Sequence, residues 1–241
     1  MEQKAEYYYK RAEERFRRDD VKGGFADLDE AIRLDPANSD YYWARGFGRY
    51  QQDEYELALV DFAKAVELTS DLTKKAEVYE SRVSCHRHLQ QHENVISDAT
   101  WLIDNGFNDA WVYEFRAYSK RKIRDFEGAI QDYAIAQQLS PRTDILLQRA
   151  NTYFEAKRFR ETIEELTLIL SSDETNSDFL SSAYYWRGKA HYALNEQDKA
   201  LQDFNEQHRL LGQKPFSSAV QFMELIERVE ANSSAVENSD E

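Results

Sequence analysis

Cysteine is almost missing: a single one, Cys85, stands among 241 residues. An internal disulfide framework is therefore excluded, and the chain fits a reducing compartment, so a cytoplasmic location is expected. Only 3 prolines and 8 glycines are present. So few breakers over this length favour long helices over turn-rich sheet architectures. No run approaches the roughly 18 consecutive apolar residues of a membrane span, so no membrane segment is expected. The opening MEQKAEYYYKRAEERF lacks the apolar core of a secretion signal. Positive charge is also in deficit, with 31 Lys and Arg against 45 Asp and Glu and a formal net charge of −14. Phosphate backbones need basic surfaces, so nucleic acid is excluded as the expected partner.

Aromatics are plentiful and ordered. In YYWARGFGRY, 41–50, and AYYWRGKAHY, 183–192, a charge sits inside an aromatic helix-like stretch. Aligning the chain on these arginines exposes a period. Arg11, Arg45, Arg82, Arg116, Arg149 and Arg187 are spaced by 34, 37, 34, 33 and 38 residues. Three residues before each stands Tyr8, Tyr42, Tyr79, Tyr113, Leu146 or Tyr184. One residue after stands Ala12, Gly46, Val83, Ala117, Ala150 or Gly188. Each unit reads as one helix bearing this signature, a polar turn such as 51–54 or 194–197, and a second amphipathic helix such as 54–68 or 126–139. Pro36 and Pro141 follow second helices, where helices stop.

The pattern resembles the tetratricopeptide repeat family over roughly residues 5–214. The second unit matches through Tyr42, Gly46, Ala58, Phe62 and Ala65. The fourth matches through Tyr113, Ala117, Ala129, Tyr133, Ala136 and Pro141, and the sixth through Tyr184, Gly188, Ala200 and Phe204. The third departs, with Val83, Val95 and Leu102 at small positions and Ala99 at an aromatic one, an exchange of volumes. The fifth departs with Thr162 and Ile169. The resemblance implies an all-α, α-α superhelical solenoid of six helical hairpins, at about 5–38, 39–72, 76–109, 110–142, 143–176 and 181–214. Residues 215–230 are expected to form a capping helix and 231–241 a disordered acidic tail.

Where the family carries Leu, all six units carry Arg, and sixteen residues later comes an acid: Asp27, Asp61, Asp98, Asp132, Glu165 and Asp203. The spacing predicts an ion pair between the two helices of each hairpin, with the arginine stem packed as hydrocarbon. A role repeated in every unit points to packing, not to ligand binding.

A second stripe lies about 150° around the first helices, at positions five and two before the arginine and two and five after it. It holds Tyr9 and Phe16; Trp43, Phe47 and Tyr50; Glu80 and Arg87; Trp111, Glu114, Tyr118 and Arg121; Phe154; and Tyr185 and Tyr192. The resemblance implies that this stripe lines a concave groove for peptide or protein segments. Aromatic anchors with acidic neighbours would suit a partner carrying basic and apolar residues. Packing between neighbouring first helices is the alternative for any single ring. Some relatives clamp a C-terminal carboxylate with Lys and Asn where Tyr9 and Glu13 stand here, so no such clamp is expected.

His88 and His92 are four apart, but no Cys or carboxylate completes a metal set. Lys22–Gly24 lacks the rest of a phosphate loop, and no nucleophile–base pattern is present. The expectation is a non-enzymatic scaffold without cofactor or metal. The alternative is a self-assembling structural protein, with homo-oligomer contacts through the array ends or the helix at 215–230.

Overall fold

The three-dimensional structure, a computed structural model, describes residues 2–224. The expected tail, 231–241, and residues 225–230 of the expected cap lie outside the described residues.

Twelve α-helices occur among the described residues: α1 (Glu2–Arg17), α2 (Val21–Leu34), α3 (Ser39–Gln51), α4 (Tyr55–Leu68), α5 (Leu72–His88), α6 (His92–Asp104), α7 (Ala110–Lys122), α8 (Phe126–Leu139), α9 (Thr143–Glu155), α10 (Phe159–Leu170), α11 (Ser177–Ala193) and α12 (Gln197–Leu210). Residues 219–224 are also helical. The chain divides into two compact units, one ending at Ile123 and the other beginning at Arg124. In the first, α1–α2, α3–α4 and α5–α6 form hairpins, each packs on the next, and α7 packs on α6. In the second, α9–α10 and α11–α12 form hairpins, α8 packs on α9 and α9 on α11.

Every first helix is followed by three non-helical residues: 18–20, 52–54, 89–91, 123–125, 156–158 and 194–196. The middle one always has positive φ, at Asp19, Asp53, Gln90, Arg124, Lys157 and Asn195, with φ between 53° and 67°. Each stands eight residues after its arginine, and none is glycine. The left-handed conformation ends the helix and reverses the chain within one residue. In two turns the following aspartate caps the next helix: Asp20 accepts from Gly23 N and Asp125 from Gly128 N.

Between the helices of a hairpin, the residue after the arginine faces the residue sixteen further on, and their volumes compensate. Where the first is glycine, the second is phenylalanine. A Cβ on Gly46 would stand 2.8 Å from the Phe62 ring, and one on Gly188 2.5 Å from the Phe204 ring. Where the first is Ala12 or Ala150, the second is leucine, as in Ala150 with Leu166 in one buried cluster. In the third unit the order inverts, and Val83 packs in one cluster with Ala99. The volume exchange expected from sequence is thus a packing fact.

Five of the six predicted ion pairs lie within one compact unit, and these form. Arg11 donates through Nε and Nη2 to Asp27 at 2.7 and 2.5 Å. Arg45 donates to Asp61 at 3.0 and 2.7 Å, and Arg187 to Asp203 at 2.9 and 2.7 Å. Arg82 reaches Asp98 at 3.0 Å. Arg149 places two nitrogens on one oxygen of Glu165, at 3.1 and 2.5 Å. Arg116 and Asp132 share a repeat but lie on either side of the division at Ile123, and Arg116 donates to Thr100 of α6 at 3.1 Å. In five of the six repeats a tyrosine three residues earlier lies beneath the guanidinium: Tyr8, Tyr42, Tyr79, Tyr113 and Tyr184 lie 4.9–5.8 Å from their arginines. Arg45 also bonds Asp29 at 2.6 Å, which ties its hairpin to the preceding one.

In the second unit, Phe204 stacks on Phe222 at 3.9 Å, and Phe216 meets Phe222 edge-on. The apolar residues at the start of the expected cap therefore turn onto α12.

Candidate functional site

The first helices of the leading unit, α1, α3, α5 and α7, bring many of the candidate residues to one face. Gly46 and Arg45 turn toward α4, which rotates Trp43, Phe47 and Tyr50 to the other side of α3. There they form a continuous row: Trp43 and Phe47 stack at 5.6 Å, Phe47 and Tyr50 at 6.3 Å. Phe47 is 39% exposed, an open aromatic ring in the middle of the row.

Two cavities flank this row. One, of about 460 Å³, lies between α1 and α3, with Tyr9, Glu13, Phe16, Arg17, Trp43 and Phe47 in its lining. The other, of about 380 Å³, lies between α3, α5 and α7. Trp43, Phe47 and Tyr50 form one wall, Trp111 and Phe115 the opposite one, and Glu77, Glu80, Ser81 and Ser84 the floor. Phe115 and Glu77 were not among the sequence candidates for binding. Glu77 sits on the same stripe, whereas Phe115 lies one residue off it and gave no signal in the spacing.

The electrostatics of this face are acidic. Burial, then Glu13, pushes the Tyr9 phenol up to about 12, with Asp40 and Glu6 acting in the same direction. Asp40 is held by Lys74 at 2.7 Å. The half-buried Glu80 carboxyl is raised above its ordinary range by burial first and then by Asp109 and Glu77. Its carboxylate makes no hydrogen bond or ion pair among the described residues.

Other candidates have partners within the chain. Tyr9 packs on Tyr41 at 5.3 Å, and Phe16 meets Phe25 edge-on while resting against Gly24 and Gly48. Arg87 sets its guanidinium 3.7 Å from the Phe115 ring centre. Tyr118, 38% exposed, lies beneath Arg121 and Lys122. Trp111 meets Phe115 at 5.4 Å, and Glu114 is half-buried on the same helix. In the second unit, Phe154 and Tyr185 converge on Trp186, and Lys189 Nζ stands 5.0–5.7 Å from all three rings. Tyr185 and Tyr192 pack on the cluster of Phe204 and Phe222.

His88 stacks on Tyr55 at 4.5 Å and His92 meets Tyr118, so each ring lies against an aromatic neighbour. Among the described residues, no three His, Cys, Asp or Glu side chains converge for a metal ion, and no helix is long and apolar enough to cross a membrane. Cys85 is buried, and burial pushes its thiol up to about 12, far from thiolate reactivity at neutral pH.

Searches with protein-family models and against curated proteins return no match. Solved structures do match. The C-terminal part of a TPR repeat-containing protein from Cytophaga hutchinsonii superposes with a TM-score of 0.68 at 15% identity, over 85% of this chain and 79% of that one. YrrB, described as a TPR protein with an unusual peptide-binding site, gives 0.62 at 16% identity over 76% of this chain and 91% of its own. MamA from Desulfovibrio magneticus RS-1 gives 0.61 at 15% identity over 71% and 98%. The fold is that of tetratricopeptide repeat proteins.

Proposed function

We propose that this chain is a non-enzymatic scaffold that binds a segment of another protein across α1, α3, α5 and α7 of its first unit. The observation that carries this reading is the stacked row Trp43–Phe47–Tyr50 with an open cavity on each side. Rings with one face packed and one face open bury large apolar area at low entropic cost when a partner docks. Rigid helices hold them in place beforehand, which limits the ordering cost of binding. Carboxylates around the row favour a partner with basic as well as apolar residues. The solved likeness to a peptide-binding TPR protein, YrrB, is consistent with this use of the fold.

Affinity capture from a source-cell lysate tests the reading, with wild type beside Phe47→Ala and Trp43→Ala, each checked for unchanged helicity by circular dichroism. A protein held by wild type and lost by both variants is the expected result. Equal capture by all three places binding elsewhere and contradicts it.

A further inference from the structure

We infer that the cavity between α3, α5 and α7 receives one arginine side chain of the bound segment, its guanidinium between the aromatic walls and paired with Glu80. The inference rests on the proposed binding face and names the chemistry of its occupant.

Three observations lead there. First, the cavity is walled by flat rings on two sides, Trp43 and Phe47 opposite Trp111 and Phe115, and its volume of about 380 Å³ suits a long side chain. Planar cations stack on such rings, and a guanidinium does so better than a compact, strongly hydrated ammonium. Second, the floor carries an uncompensated negative charge. Glu80 is half-buried, Glu77 and Asp109 repel it, and Lys74, the cation that acts on Glu77, is engaged by Asp40. Burying a carboxylate without a partner is costly, and an incoming cation removes that cost. Third, the chain shows elsewhere how its rings take cations. Arg87 lies on Phe115 without lining the cavity, and Lys189 fills the ring cluster of Phe154, Tyr185 and Trp186 in the second unit. The aromatic cluster of the second unit holds a cation of its own chain. The cavity of the first unit has carboxylates in its floor and no lysine or arginine in its lining.

The test pans a displayed library of random peptides against the full chain, then titrates the selected sequence as synthetic peptide. Selected peptides are expected to share an arginine. Replacing it by citrulline, which keeps the shape and removes the charge, should weaken binding roughly ten- to a hundredfold. Lysine should rescue only part of the loss. Glu80→Gln should weaken the arginine peptide to a similar degree while leaving the citrulline peptide unchanged. Peptides that need Phe47 but bind equally with arginine, lysine or citrulline overturn the inference and leave the binding face standing. Selection of no peptide, or of peptides indifferent to Phe47→Ala and Trp43→Ala, overturns the binding face and the inference with it.

Discussion

At the scale of single residues, the buried acids decide how much each hairpin costs to break. Asp61 accepts from Arg45 through two nitrogens and from Arg49 at 2.7 Å. It is almost fully buried, at 2% side-chain exposure. Asp61→Ala should therefore lower stability by about 2–4 kcal/mol in urea unfolding, because Arg45 and Arg49 lose the buried carboxylate they share. Arg45→Leu combined with Asp61→Leu should cost less than the sum of the single changes. The arginine–acid spacing was legible in sequence because every hairpin repeats one geometry. The second base was not. Arg15, Arg49, His86 and His191 all stand four residues after a signature arginine, and each lies within 4 Å of the same acid. Their differing side chains hid a common position.

Asp98 has only one arginine and a histidine where Asp61 has two arginines. Burial lifts its carboxyl from the ordinary 3.8 up to about 6, against the pull of Arg82. An acid raised on folding binds more protons folded than unfolded between those two values. Its contribution to stability is thus greatest at low pH and falls as pH rises through that window. Unfolding free energies from about pH 4 to about pH 7 should show Asp98→Asn gaining on wild type as pH rises, and reaching a plateau above about 6. A constant difference across that range would contradict the assignment.

At the scale of helices and turns, the hairpins are specified by complementary volumes. Gly188→Val should cost about 1–3 kcal/mol, because the added carbons meet the Phe204 ring. Adding Phe204→Ala should recover part of that loss, since the third hairpin already uses the Val83–Ala99 arrangement. The exchange in the third unit was readable from sequence as an exception to the repeat. The six left-handed turn residues were not, since their identities share nothing. Asn195 tolerates that conformation, whereas Lys157 pays for it with its Cβ. Lys157→Gly should raise stability by roughly 0.5–1 kcal/mol, measured as a higher urea midpoint.

At the scale of the molecule, the chain carries a formal charge of −14, and α3 presents an aromatic row. Binding of a basic partner should be faster and tighter at low salt, with the loss at high salt appearing mainly in the association rate. The period, the hairpins and the aromatic row on α3 could be traced in the sequence, because periodicity follows from helix geometry. Which rings keep an open face could not. Trp43 and Tyr185 hold the same stripe position, two residues before the arginine, yet one is left beside cavities while the other packs on Phe222. That difference comes from the neighbours each helix meets.

The four tryptophans allow the central claim to be tested directly. Trp43 and Trp111 line the cavity, Trp101 stacks on Tyr79, and Trp186 belongs to the second unit. Indole N–H resonances of nitrogen-labelled protein would be recorded while the selected peptide or the captured partner is added. The account predicts shifts at Trp43 and Trp111 with Trp101 and Trp186 unchanged. Shifts confined to Trp101 or Trp186 would contradict it and move the binding surface off this face.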